Sequence, residues 1–235
     1  MTSGTGARLV LWDIDQTLIE GGGVSREAYA AAFTRVTGQR LVTMAEMAGR
    51  TELAIATDTL RLNGVAAEPA LVQRVTAALV EELTARAGQL AAVGRALPGA
   101  AESLAALAGL PGVHQSVLTG NVRALAELKL GVFGLIEHLD FDCGAYGDDA
   151  PERTALLGHA WQRALALYGR AYAGHQTVIV GDTVRDMAVA RHGGALAVAV
   201  ATGRTSAAEL AAAGADVVLP DLADVGAVVA AVMGR

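Results

Sequence analysis

Several residue types are scarce in this 235-residue chain, and each scarcity excludes a class of protein. Cysteine occurs once, at Cys143, so the chain cannot form an internal disulfide, and we expect a reducing, cytoplasmic location. Lysine also occurs once, at Lys129, and the net charge is −6. Without a basic cluster the chain lacks the footprint of a nucleic-acid-binding protein. No run of roughly 18 apolar residues is free of charges and glycines, and the first residues do not follow the pattern of a signal peptide, so we expect no membrane association.

Aromatic residues make up only 4% of a chain that is 53% hydrophobic, so its core must consist mainly of alanine, valine and leucine. Short apolar runs bounded by Gly, Asp or Thr predict strands at 8–13, 115–119, 139–142, 177–181, 196–201 and 216–219. Helical patterns lie between most of them, at 100–108, 124–130, 152–168, 185–190 and 206–213. This alternation predicts an α/β fold in which helices cover a Rossmann-like parallel sheet on both faces.

Residues 20–97 interrupt this alternation, since we find no convincing strand among them. Their pattern predicts helices at 25–37, 44–48, 52–63 and 68–87, with glycine- or proline-containing hinges on either side. We therefore predict a core domain formed by residues 1–19 and 98–235, and a helical cap domain formed by residues 20–97. The alternative is an ordinary helical layer of the core.

Pairs of carboxylates follow two of the predicted strands. Asp13 and Asp15 end the first strand, and Asp182 and Asp186 follow the run that ends at Gly181. Ligands of open α/β sheets collect at the carboxyl ends of the strands, and clustered oxygen ligands suit a hard cation such as Mg²⁺. The alternatives are an acidic turn for the first pair and, for Asp186, favourable placement near a helix N-terminus.

A third strand end carries Thr119, Gly120 and Asn121. A hydroxyl followed by a glycine offers a side-chain donor and an unobstructed backbone N–H, which together suit a phosphate oxygen. The same residues would also make an ordinary turn or helix cap, so this segment decides nothing alone.

Together the segments Asp13-Ile14-Asp15-Gln16-Thr17-Leu18, Leu118-Thr119-Gly120-Asn121 and Gly181-Asp182-Thr183-x-x-Asp186 resemble the haloacid dehalogenase superfamily. The helical insert resembles the C1-type cap of its phosphoglycolate phosphatase-like members. The resemblance implies that Asp13 is a nucleophile that forms an aspartyl-phosphate, and that Asp15 is the general acid and base. It also implies Mg²⁺ held by Asp13, the Asp15 carbonyl and Asp182, with Asp186 as ligand or orienting residue, and a phosphoryl group bound by Thr119, Gly120 and Asn121.

Two positions bear on how far this resemblance extends. Gln16 stands where the family usually has glycine. The family's cationic residue, usually a lysine, has two candidates here: we favour Arg153, which opens a predicted helix, over Lys129, which lies earlier in the chain. Arg50, in a segment that resembles a substrate loop of such caps, is a candidate for binding an anionic substrate group.

The predicted function is that of a Mg²⁺-dependent phosphatase for a small phosphorylated metabolite, either phosphoglycolate-like or a sugar phosphate, in a monomer or homodimer. Residues 20–97 contain no lysine, which excludes the Schiff-base chemistry of the superfamily's phosphonatases. A phosphomutase with the same core residues, or a non-catalytic module that binds a ligand in the same pocket, remains an alternative.

Overall fold

A computed structural model describes residues 7–235. Its strands are β1 (Arg8–Trp12), β2 (Ile19–Glu20), β3 (Arg95–Ala96), β4 (Val113–Val117), β5 (Thr177–Gly181), β6 (Leu196–Val200) and β7 (Val217–Leu219). Its α-helices are α1 (Val24–Thr37), α2 (Glu52–Leu62), α3 (Pro69–Ala85), α4 (Ala87–Val93), α5 (Ala100–Ala108), α6 (Arg123–Val132), α7 (Leu156–Tyr168), α8 (Val184–Gly193), α9 (Ala207–Ala212) and α10 (Val225–Met233). None of these helices is long and apolar enough to cross a bilayer.

Five strands form a parallel sheet in the order β4-β1-β5-β6-β7. The first strand of the chain is therefore interior, with β4 on one side and β5 on the other. Trp12, its last residue, is aligned with Val117 of β4 and Val180 of β5. This register brings the carboxyl ends of three strands to one place, as the sequence pattern predicts.

Helices cover both faces of this sheet, which confirms the predicted fold class. Side chains alternate along β1: Val10 and Trp12 lie in the hydrophobic cluster that also contains side chains of α5 and α10. Leu9 and Leu11 lie in the opposite cluster with side chains of α7 and α8. Burial on both faces explains the nearly continuous apolar character of the strand.

The strand predicted at 139–142 is wrong, because this segment turns over the edge of β4. The backbone N–H of Asp140 bonds to the Gln115 carbonyl, and its side chain accepts hydrogen bonds from the Asp142 N–H and the Tyr168 hydroxyl. An aspartate that bonds to the backbone two residues later favours a turn over extended pairing. Only a single bridge between Leu118 and Ala145 continues the sheet edge there.

The four helices α1–α4, hereafter the helical insertion, share a hydrophobic cluster that includes Tyr29, Phe33 and Leu83. The same cluster takes in Val122 and Leu125 beside the sheet, so the insertion packs directly on the rest of the chain. The antiparallel pair of β2 and β3, which the sequence analysis missed, connects the insertion to the sheet. The division into two domains stays a prediction.

Two details of the helical insertion differ from the sequence prediction. The segment 44–48 is not helical, because side chains at the end of α2 and just after it satisfy nearby backbone donors. Asn63 accepts from the N–H groups of Val42 and Thr43, and Thr59 accepts from that of Ala45. The long helix predicted at 68–87 is two helices, α3 and α4, which meet at Arg86.

Candidate active site

Three buried carboxylates meet at the carboxyl ends of β1 and β5. Oxygen atoms of Asp13, Asp182 and Asp186 all lie within 4.8 Å of one another. Nη2 of Arg153 lies 2.9 Å from Oδ1 of Asp13 and 2.5 Å from Oδ1 of Asp186. The fold therefore brings together four residues that the sequence analysis assigned to the site from three separate segments.

Local sequence chemistry holds Asp186 in this cluster. Thr183 caps α8, and its N–H and hydroxyl donate to Oδ2 of Asp186 at 3.0 and 2.6 Å, which leaves Oδ1 for Arg153. The end of β5 must also be glycine, since a Cβ on Gly181 would lie 2.3 Å from the carboxyl carbon of Asp186. Asp186 thus contributes to both the helix cap and the charge cluster, the two readings that the sequence left open.

The cluster has more negative than positive charge. Burial raises the pKa of Asp13 to about 6, although Arg153 opposes this shift. Burial, together with the charges of Asp13 and Asp186, raises the pKa of Asp182 to about 8. One guanidinium does not neutralise three carboxylates, and all the candidate metal-ligand atoms are oxygens. The residues present therefore fit a hard divalent cation.

Asp15 belongs to a second group, beside the cluster. Lys129 donates to both of its carboxylate oxygens, at 2.9 and 2.7 Å, and Asn121 donates to Oδ2 at 2.8 Å. Burial opposes ionisation of Asp15, but the Lys129 ammonium and these hydrogen bonds lower its pKa below the ordinary value. Lys129, which the sequence analysis placed second to Arg153, is thus part of the site: α6 turns its side chain inward, where Lys129 is 3% exposed.

The segment after β4 lies against the same cavity. Thr119 Oγ1 accepts hydrogen bonds from the backbone and side-chain nitrogens of Asn121, at 3.2 and 2.9 Å. Gly120 has no room for a side chain, because a Cβ there would lie 1.9 Å from the Arg50 carbonyl oxygen and 3.4 Å from Nη1 of Arg153. The Gly120 carbonyl accepts from the N–H of Glu52, at 2.8 Å, so the start of α2 is docked on this segment.

Gln16 has a φ of 66°, the only positive φ of a non-glycine residue in the described chain. Its N–H bonds to the Ile19 carbonyl at 2.7 Å, and its own carbonyl accepts from the Thr202 hydroxyl at 2.5 Å. Glycine adopts this left-handed conformation without strain, which is a physical reason to expect glycine at the position that Gln16 occupies. The turn therefore forms with glutamine, at a local conformational cost.

The contacts of Arg50 differ from those expected of a residue that is free to bind an anionic substrate group. Its guanidinium donates to Oδ2 of Asp58 at 2.5 Å and to the Ala54 carbonyl at 3.4 Å. The residue borders the cavity, but its charge is already balanced within the helical insertion. A role for Arg50 in binding an anionic substrate group stays a prediction, and would require the pair with Asp58 to open.

Several residues of the insertion that were not predicted line the cavity, and two of them, Tyr29 and Glu52, carry buried polar groups. Tyr29 of α1 and Glu52 of α2 line the same cavity, of about 210 Å³, as Asp13 and Asp15. The signal for Glu52 was present in the sequence, since it lies on the stripe of α2 that also buries Ile55, Ala56 and Thr59. An acidic residue on a buried helix face requires a partner or a function.

Comparison with known proteins agrees with this arrangement. A family model described as haloacid dehalogenase-like hydrolase matches residues 7–194. A hydrolase from Pseudomonas syringae is 21% identical, with a TM-score of 0.70, and the alignment covers 94% of this chain and 96% of that one. A predicted phosphatase from Clostridium acetobutylicum (16% identity, TM-score 0.65, coverage 91% and 94%) and a predicted phosphoglycolate phosphatase from Haemophilus somnus (15%, 0.64, 97% and 99%) have the same fold. No curated protein matches the sequence.

The family match spans most of the chain and includes all the strand ends that carry the site. The chain belongs to the haloacid dehalogenase-like hydrolases, and it is an enzyme of the hydrolase class.

Proposed function

We propose that this hydrolase is a phosphatase that cleaves a small phosphorylated metabolite through a phosphorylated aspartate. The observation that carries the proposal is the pairing at the end of β1: Asp13 is buried against Arg153, and Asp15, two residues later, is bound by Lys129. This pairing supports Asp13 as the attacking carboxylate and Asp15, whose side chain is 42% exposed, as the one that exchanges protons with solvent.

In the first step an oxygen of Asp13 forms a bond to phosphorus, and the ester oxygen leaves with a proton from Asp15. In the second step Asp15 takes a proton from a water molecule, whose oxygen attacks phosphorus and releases Asp13 and inorganic phosphate. Two displacements replace one difficult reaction, and proton transfer of this kind contributes about 10²–10⁴-fold. The pair with Lys129 favours the ionised form of Asp15, which the second step needs. For the first step, this pair must loosen as substrate binds.

The phosphoryl group is proposed to lie between Arg153, Thr119 and the N–H of Gly120. Nε of Arg153 is buried and has no hydrogen-bond partner among the described residues, although Nη2 of the same side chain contacts Asp13. An oxygen of a phosphoryl group would complete the bonding of this guanidinium, which favours Arg153 as the cationic residue of the site. Asn121 would orient Thr119 and Asp15, to both of which it bonds.

The cation that fits the acidic cluster is proposed to be Mg²⁺, held by Asp13, Asp182 and Asp186, with the backbone carbonyl of Asp15. When bound it supplies positive charge that lets the anionic Asp13 approach an anionic phosphate, an effect worth several kcal/mol. The helical insertion is proposed to act as a C1-type cap that closes over the phosphate, because the first residue of α2, Glu52, donates its N–H to the Gly120 carbonyl.

The test is a panel of phosphorylated metabolites assayed for release of inorganic phosphate, in the presence of Mg²⁺ and in the presence of a chelator. We expect Mg²⁺-dependent release by the wild type, and a loss of at least about 10³-fold in the Asp13→Asn variant with an unchanged circular dichroism spectrum. Substantial turnover by Asp13→Asn would disprove the mechanism. Conversion of a sugar phosphate without phosphate release would show a mutase, and no reaction under either condition would favour a ligand-binding module.

A further inference from the structure

Two polar groups lie buried at the cavity without a well-formed hydrogen bond. The Tyr29 hydroxyl and the Glu52 carboxylate are neighbours, but neither the hydroxyl nor Oε1 of Glu52 makes a well-formed hydrogen bond within residues 7–235. Tyr29 is fully buried, and Glu52 is 4% exposed. Leaving such a group unsatisfied destabilises the protein, and more so when the group is charged. Because both side chains line the cavity that contains Asp13, a molecule bound there is the natural partner for both.

Glu52 is held close to the phosphate segment by its own backbone. Its N–H donates to the Gly120 carbonyl at 2.8 Å, and Thr51, which precedes it, donates through its hydroxyl to the Pro151 carbonyl at 2.6 Å. Glu52 is therefore anchored to the segments that carry Gly120 and Arg153. A phosphate bound at Gly120 would have its organic part within reach of the Glu52 carboxylate.

The charges around the cavity favour one kind of organic part. The three basic side chains that line it are each paired with a carboxylate: Lys129 with Asp15, Arg153 with Asp13 and Asp186, and Arg50 with Asp58. Glu52 forms no ion pair within residues 7–235, although Lys129 is near enough to attract its charge.

Burial raises the pKa of Glu52 to about 7 against the attraction of Lys129, and Asp15 adds to the shift. Above this pH Glu52 is ionised, so a second anionic group beside Glu52 and Asp15 would be repelled, and a hydrogen-bond donor would be attracted. Apolar side chains of the helical insertion, among them Ile55, Leu79 and Leu83, line the same cavity.

We propose that Glu52 and Tyr29 form the subsite for the leaving group, and that it selects a phosphomonoester whose organic part carries a hydroxyl or ammonium donor and no second anionic group. This inference rests on the proposed phosphatase function. It runs against a phosphorylated carboxylate such as phosphoglycolate as the preferred substrate.

A matched series of small phosphates tests the subsite: 2-hydroxyethyl phosphate, 2-aminoethyl phosphate, propyl phosphate and phosphoglycolate. We expect kcat/KM for the better of the first two to exceed that of the last two by about 10- to 100-fold, because only these two supply a donor to a charged acceptor. The ranking between the hydroxyl and the ammonium compound identifies the donor. Phosphoglycolate as the best substrate would overturn the proposal.

Variants then assign the selectivity to these side chains. Glu52→Gln keeps the shape and an acceptor but removes the charge, and we expect it to reduce the advantage of 2-aminoethyl phosphate over propyl phosphate by about tenfold or more. Tyr29→Phe should reduce the advantage of the better donor compound by a smaller factor. Glu127→Gln, an exposed substitution on α6, is the matched control and should leave the ranking unchanged. An unchanged ranking in both Glu52→Gln and Tyr29→Phe would disprove the subsite.

Two further measurements separate this inference from the proposed function. Hydrolysis of p-nitrophenyl phosphate reports the phosphatase chemistry with a single reactive ester. If the protein hydrolyses neither this ester nor the series, the phosphatase proposal fails, and the subsite is tested by the calorimetric Kd values of the same four phosphates. Tighter binding of a donor compound, lost in Glu52→Gln, would support the subsite without catalysis, and equal Kd values would overturn it.

Discussion

Replacing Arg153 by methionine should destabilise the fold strongly when no divalent cation is present. Arg153 is buried between Asp13 and Asp186, and Asp182 completes the same cluster. Methionine fills much of the arginine's volume without its charge, so three buried carboxylates would face one another with no cation. The variant therefore isolates the electrostatic contribution of one guanidinium.

The magnitude follows from an ion pair with Asp13 at 2.9 Å and a charge-assisted hydrogen bond to Asp186 at 2.5 Å. A hydrogen bond to a charged group contributes about 1.5–3 kcal/mol, and breaking a buried ion pair costs about 3–5 kcal/mol. We therefore expect the free energy of unfolding at pH 8, in chelator, to fall by about 3–5 kcal/mol. For a chain of this size that corresponds to a drop in Tm of roughly 6–20 °C.

Urea unfolding followed by circular dichroism measures this loss. Arg123→Met is the matched control, because Arg123 pairs with Glu127 and Asp142 at a surface where its side chain is 46% exposed. Exposed pairs contribute about 0–1 kcal/mol, so the control should unfold almost as the wild type does. Mg²⁺ should recover part of the loss in Arg153→Met, since it replaces the missing positive charge. A loss in Arg153→Met no larger than that in Arg123→Met would refute the electrostatic reasoning.

Three further predictions concern Asp182, Lys129 and Gln16. The pKa of Asp182 is about 8 in the folded protein against an ordinary value of 3.8, so the folded state binds its proton more tightly. In chelator the free energy of unfolding should then rise by about 2 kcal/mol from pH 8 to pH 6, and fluorescence-monitored denaturation should show this dependence weakened by Mg²⁺. Lys129→Met removes the ammonium that lowers the pKa of Asp15, so the acid limb of phosphoenzyme hydrolysis should move to higher pH in single-turnover assays; an unmoved limb would exclude Asp15 as the base. Gln16→Gly should change the free energy of unfolding by less than about 1 kcal/mol, because relief of the left-handed strain is offset by greater freedom of the unfolded chain. Gln16→Val should lower it by about 1–2 kcal/mol in the same denaturation assay, and a large loss in Gln16→Gly instead would show that the glutamine side chain itself holds the turn.

Much of the fold was predictable, because it depends on patterns that are local in the chain. Apolar runs predicted the five strands of the parallel sheet, and the helix predicted at 100–108 agrees with α5. The predictions failed where side chains distant in sequence satisfy the backbone, as Asn63 and Thr59 do for residues 42–45. The turn at Asp140 shows the same limit, since its apolar neighbours resemble a strand but its carboxylate stabilises a turn.

The site was predictable where its residues follow strands. Asp13 and Asp182 follow strands directly, and Thr119 lies two residues after β4, so a parallel sheet brings them together once the strand order is β4-β1-β5. Arg153 was placed by resemblance and meets Asp13 in the structure. The roles assigned to these residues, and the Mg²⁺ that would join them, stay predictions until the assays above are done.

The sequence by itself determined that two aspartates stand at the end of a strand, because strand periodicity and strand ends are local properties of the chain. Only the tertiary structure decided what each carboxylate contacts. Asp13 meets Arg153 and Asp15 meets Lys129, partners that lie more than 100 residues away in sequence. Helix packing likewise turns Glu52 and Tyr29 into the cavity. The direction of a side chain on a helix depends on which face that helix buries. Contacts with segments distant in the chain decide that face, and sequence periodicity does not reveal which segments these are.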